Sequence, residues 1–99
     1  MRKDKTIINL IDRLKLIIDF ALLEVVDYWD ADLCAIGLKK ENRLIYISSF
    51  NYVENKVLRF DFDLEVINEV EQEKNEIIKK GRGVLEVELI SEVKQFLEV

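Results

Sequence analysis

The sequence predicts an α+β fold. The expected architecture is a two-layer sandwich, with an antiparallel three- to four-stranded sheet packed against a long N-terminal helix and a C-terminal helix. Residues 1–99 form a single domain on this reading. Three observations carry it. Apolar residues recur at helical spacing towards both ends of the chain. They alternate with polar residues at period two in RFDFDLE. Hydrophobic residues make up 49% of 99 residues, enough for one core without metals or disulfides.

Residues 4–29 read as one amphipathic helix. At about 100° per residue, Ile7, Leu10, Ile11, Leu14, Ile17, Ile18, Ala21, Leu22, Val25, Tyr28 and Trp29 fall on one arc. Asp4 is the expected N-cap. A second apolar stripe, Leu16, Phe20 and Leu23, lies nearly opposite. Two readings fit it: cover by another element of the chain, or a homodimer contact.

The next stretch, ADLCAIGLKKENRLIYISSF, reads as a β-hairpin with strands near 32–39 and 43–50. NYVEN is a turn. In KVLRFDFDLEV, Leu58, Phe60, Phe62 and Leu64 point one way, while Val57, Arg59, Asp61 and Asp63 point the other. Residues 65–80 fit either a helix capped by Gly81 or a loop followed by a fourth strand, EIIKKG. The strand is preferred, because it covers more of the long helix. GRGV is the next turn. A final helix buries Leu85, Leu89, Val93, Phe96 and Leu97.

Composition narrows function. The chain has no histidine, so the commonest general base and metal ligand are missing, and its few serines have no triad partner. No phosphate-loop, dinucleotide or paired-cysteine motif occurs, and no cofactor is expected. The lone Cys34, in LCAIGL, reads as a small buried hydrophobe. No signal peptide or membrane-spanning run is visible, which predicts a cytoplasmic protein away from the bilayer. The net charge of −5 and pI near 4.8 argue against direct nucleic-acid binding and suit a basic protein partner. Arg2, Lys3 and Lys5 read as a solubilising end.

Two acidic stretches stand out. In EVVDYWDADL, Asp27, Asp30 and Asp32 crowd around Tyr28 and Trp29. The DxxDxD spacing lacks the glycine and closing glutamate of a calcium loop. The acids either form a turn or face a partner. On the predicted helix, Glu24 and Asp27 would oppose the macrodipole, a local conflict of the kind that marks functional sites. In DFDLEVINEVEQEKNE, Asp61, Asp63, Glu65, Glu69, Glu71, Glu73 and Glu76 face one base, Lys74. This run is either a solvated face or a second docking surface. Paired carboxylates at Asp61 and Asp63 lack the cleft that glycoside chemistry needs.

The stretches DADLCAIGLKKENRLIYIS, RFDFDLE and NEIIKKGRGVLEVELISEVKQFLEV, within a small acidic helix–strands–helix chain, resemble the immunity proteins of contact-dependent growth inhibition and related polymorphic toxin systems. The resemblance implies a non-enzymatic protein that neutralises a cognate toxin, often a nuclease, by direct binding. It carries no residue roles. Physical argument points the same way: a nuclease is positive where it grips phosphate, and an acidic surface can occupy that site. The expected partner-binding residues are Asp27, Tyr28, Asp30, Asp32, Asp61 and Asp63. The competing expectation is an adaptor that homodimerises through Leu16, Phe20 and Leu23.

Overall fold

The computed structural model describes residues 2–71 and 74–99. Among them are two α-helices and a five-stranded antiparallel sheet. Helix α1 spans Lys5–Lys15. Asp4 caps it as expected, its carboxylate accepting the Thr6 N–H at 3.0 Å and the Thr6 hydroxyl at 2.6 Å. The helix buries Ile7, Leu10, Ile11 and Leu14 on one stripe. It stops at Leu16, whose N–H donates to the Arg13 carbonyl at 3.2 Å, while the Leu14 carbonyl accepts from Ile17 and Ile18. Asp19 then caps a 3-10 turn at Phe20–Leu22, accepting the Ala21 N–H at 2.9 Å.

The chain continues as strand β1, Glu24–Val26. The single helix expected over 4–29 is therefore a shorter helix, a turn and an edge strand. Dense apolar residues kept the helical period going past the real end. Ile17, Ile18, Val25 and Val26 are β-branched and fit extended backbone as well as helix, and Asp19 offers its side chain to local N–H groups. The second stripe dissolves with the helix. Leu16 is 84% exposed, whereas Phe20 and Leu23 turn back to pack against the core. The helical spacing that would align these three residues on one stripe is absent.

The other strands are β2 (Ala35–Lys40), β3 (Arg43–Ser48), β4 (Arg59–Val66) and β5 (Glu76–Leu85). They run in sequence order across the sheet, β1-β2-β3-β4-β5, with every neighbour antiparallel. The sheet exceeds the expected three to four strands because the stretch read as helix contributes β1. The strand preferred in 65–80 exists as the start of β5. GRGV is not a turn but the second half of that strand, bent by register shifts opposite Phe60/Phe62 and Leu64/Glu65.

One sheet face is the core. The cross-strand rows Leu38–Ile45–Leu64 and Ile36–Ile47–Phe62 meet the α1 stripe and Leu89, Val93 and Leu97 of helix α2, Glu86–Leu97. Arg13 clamps the two helices by bidentate contact with Glu86 at 2.6 and 2.8 Å. Gly81 faces this core opposite Phe62, and a Cβ there would lie 1.9 Å from the Phe62 ring. Among the described residues, the opposite sheet face carries no α-helix. No helix among the described residues is long and apolar enough to cross a membrane.

Two outcomes follow for stability. Gly81→Ala is expected to cost about 1–3 kcal/mol by overpacking against Phe62, read by urea denaturation, with part of the loss recovered when Phe62→Leu is added. Asp4→Ala is expected to cost about 1 kcal/mol at neutral pH. The hydrogen bond from the Thr6 hydroxyl, then that from its N–H, holds the Asp4 carboxyl below its ordinary 3.8. The stabilisation is therefore present above pH 3.8 and lost as pH falls through the lower folded value, so the two melting curves should converge in acid.

Candidate partner-binding face

The helix-free face of the sheet collects the polar half of each central strand. Its rows are Ala35–Ser48–Asp61, Gly37–Tyr46–Asp63–Lys80 and Lys39–Leu44–Glu65–Ile77. Period-two alternation in β4 forces this: with Phe60, Phe62 and Leu64 inward, Asp61, Asp63 and Glu65 must point outward.

An aromatic side chain from outside the sheet packs onto this face. Trp29, in the β1–β2 loop, lies over Gly37 and meets Tyr46 edge to face at 4.7 Å between centroids. A Cβ on Gly37 would stand 3.0 Å from the Trp29 ring and from Leu44, and 2.7 Å from Val26. Gly37 is thus the seat of the indole, which explains the glycine within a strand. Leu44 is only 3% exposed, although it faces away from the main core.

Trp29 separates two open grooves. The first, about 490 Å³, is lined by Asp32, Asp61, Asp63 and Glu65, with Trp29, Tyr46 and Phe50 as aromatic walls and Arg82 as the cation. The second, about 730 Å³, runs past Tyr28, Leu44, Ile67, Glu41 and Glu69, with Lys39 as the cation. Trp29 and Glu65 line both. Phe50 is 66% exposed and Tyr28 62%, so each groove has a large aromatic side chain open to solvent.

The acids differ in how they are held. Asp61 Oδ1 accepts the Tyr52 hydroxyl at 2.6 Å and the Gly83 N–H at 3.0 Å, tying the 3-10 turn at Phe50–Tyr52 to the bend in β5. That hydrogen bond to Asp61 comes first among the causes that raise the Tyr52 phenol above its ordinary 10.0. Arg82 Nη2 lies 3.0 Å from the buried Asp63 Oδ1, but off the hydrogen-bonding direction, so the contact is ionic. Its Nη1 donates to the carbonyls of Phe62 and Gly81 at 3.0 and 2.8 Å. Asp32 Oδ1 accepts the Cys34 N–H at 2.9 Å and so serves as a turn acid as well as a groove acid.

The sequence-level cluster divides. Asp32, Asp61 and Asp63 share the first groove, and Tyr28 lines the second. Asp27 instead pairs with Lys3 at 2.7 Å, and Asp30 is exposed on the loop without lining either groove. The supposed conflict with a helix dipole vanishes, because no helix ends there. Lys3 is no solubilising end: its side chain is fully buried. Glu73 lies outside the described residues. Glu65 continues the alternation of β4 and was within reach of the sequence pattern. Phe50, Tyr46 and Arg82 depended on the sheet register and the 3-10 turn. Cys34, expected to be buried, is only partly so; desolvation comes first among the causes that raise its thiol pKa above the ordinary 9.0. No group of three or more cysteine, aspartate or glutamate residues among the described residues is arranged to hold a metal ion.

Comparison with protein-family models, curated proteins and solved structures finds no significant match for this chain.

An alkaline titration followed by phenolate absorbance tests the Asp61 anchor. One of the three tyrosines should titrate above pH 10.0, and Asp61→Asn should bring it down towards that value. An unchanged profile in the variant would show that the Tyr52–Asp61 bond does not form in solution.

Proposed function

We propose that this chain is an acidic, non-enzymatic inhibitor that binds a basic protein through its helix-free sheet face, as an immunity protein does for its cognate toxin. The observation that carries the reading is the first groove. Four carboxylates, Asp32, Asp61, Asp63 and Glu65, line it against one guanidinium, beside the exposed ring of Phe50. Aromatic side chains supply the anchoring area of protein interfaces, and charge supplies steering and register.

The electrostatics favour a partner rather than plain solvation. Asp61 and Asp63 are pinned in place, so little side-chain entropy is lost when a cation docks against them. Glu65, at the junction of the two grooves, extends the negative surface beneath Trp29 into the second. A basic nuclease domain, positive where it holds phosphate, is complementary to such a face. Fast capture matters for an inhibitor of a lethal enzyme, and electrostatic steering accelerates association by about 10–10³-fold.

The decisive experiment expresses the reading frame immediately upstream, with and without this chain. A product that ends in a basic domain, arrests growth alone and is silenced by coexpression supports the reading. In the purified pair, Asp32→Lys with Glu65→Lys should slow association by roughly tenfold or more and flatten its salt dependence, with folding intact by circular dichroism. An unchanged association rate would move the interface off this face.

A further inference from the structure

Loops that cross a sheet face need something to hold them down. The β1–β2 loop has few apolar anchors: Tyr28 and Leu33 are exposed, and Trp29 alone reaches the sheet. What holds it is a cation. The Lys3 ammonium donates to the Asp32 carbonyl at 2.8 Å and the Trp29 carbonyl at 3.1 Å, and pairs with the Asp27 carboxylate at 2.7 Å. Two of the ammonium's three N–H donors go to carbonyls of one loop, and the Asp27 carboxylate meets its charge. The neighbouring Asp4 N–H donates to the Leu33 carbonyl at 2.8 Å, adding a fourth stitch.

A buried ammonium is costly unless its charge and donors are all met, so the loop oxygens and Lys3 enforce one another. The carbonyls gathered by Lys3 belong to the two loop residues that line the first groove. We infer that Lys3 is a positioning residue for the binding face, fastening the 27–32 loop in the arrangement that lays Trp29 over Gly37 and turns Asp32 into the groove. In this account Asp27 belongs to the fastener and does not meet the partner. The fastening stands on geometry alone; its consequence for binding rests on the reading given under Proposed function.

Trp29 is the sole tryptophan, so its fluorescence reports this loop directly. Lys3→Met keeps most of the stem and removes the charge. Its Trp29 emission should shift to the red, with greater acrylamide quenching. Amide exchange over residues 27–34 should speed up by roughly tenfold or more, the factor expected for losing one charge-assisted hydrogen bond, while exchange in β3 and β4 is unchanged. Val93→Ala, which loosens the core under helix α2, should leave Trp29 and the loop amides as in wild type. Should Lys3→Met fail to fold, Asp27→Asn decides, with a smaller change of the same sign. Wild-type quenching and loop exchange in whichever variant folds would overturn the inference. A synthetic oligo-arginine peptide then probes the face. Weaker binding by the loosened variant supports the positioning role, and undiminished binding overturns it. If wild type itself ignores the peptide while Trp29 responds as expected, the fastening holds and the basic-partner reading falls.

Discussion

A strand must assign each residue to one of two faces, and β4 does so without exception. Phe60, Phe62 and Leu64 enter the core; Asp61, Asp63 and Glu65 leave it. A shift of one residue in register would bury three carboxylates and expose two phenylalanines, so hydrophobic burial holds the acids where they are. The groove is in this sense a by-product of the core. The three acidic positions need no local stabilisation of their own, because the opposite face already determines their direction.

What the sheet cannot supply is a wall, and the chain adds one from each side. The β1–β2 loop brings Trp29 and Asp32 from one direction, and the 3-10 turn after β3 brings Phe50 from the other. Both additions are tied by polar contacts rather than by a large apolar area: Lys3 to the loop, and Tyr52 with Gly83 to Asp61. Asp61 therefore acts twice, as a groove carboxylate and as the post to which the second wall is fastened.

These two kinds of construction were not equally legible in the sequence. The β2–β3 hairpin, the alternation in β4, the cap at Asp4 and the helix after Leu85 were readable because each depends on a local period or a local bond. The end of α1 was not. Residues 16–26 are so rich in apolar side chains that a helical projection finds an arc through them anyway, and the choice falls to tertiary pairing, with Val25 opposite Leu38 and Glu24 opposite Lys39. The groove was half legible for the same reason. Asp61 and Asp63 followed from period two, whereas Arg82 depended on a register shift and Lys3 on a contact 29 residues away along the chain. A lysine near a chain end carries no sequence mark that distinguishes a buried cation from a solvated one.

The two register shifts of β5 have a bearing on how the molecule keeps to itself. β5 is an outer strand of ten residues, and it leaves Ile77 and Ile78 partly open to water. A flat ribbon of that length would invite further chains to add on, the first step towards fibrils. Here Ile78 is the extra residue between two ladder pairs, so the row breaks near its start, and Lys79 and Lys80 follow at once. Kinked and positively charged, that margin is a poor template for copies of itself. That edge is therefore a poorer template for strand addition than a flat ribbon of equal length.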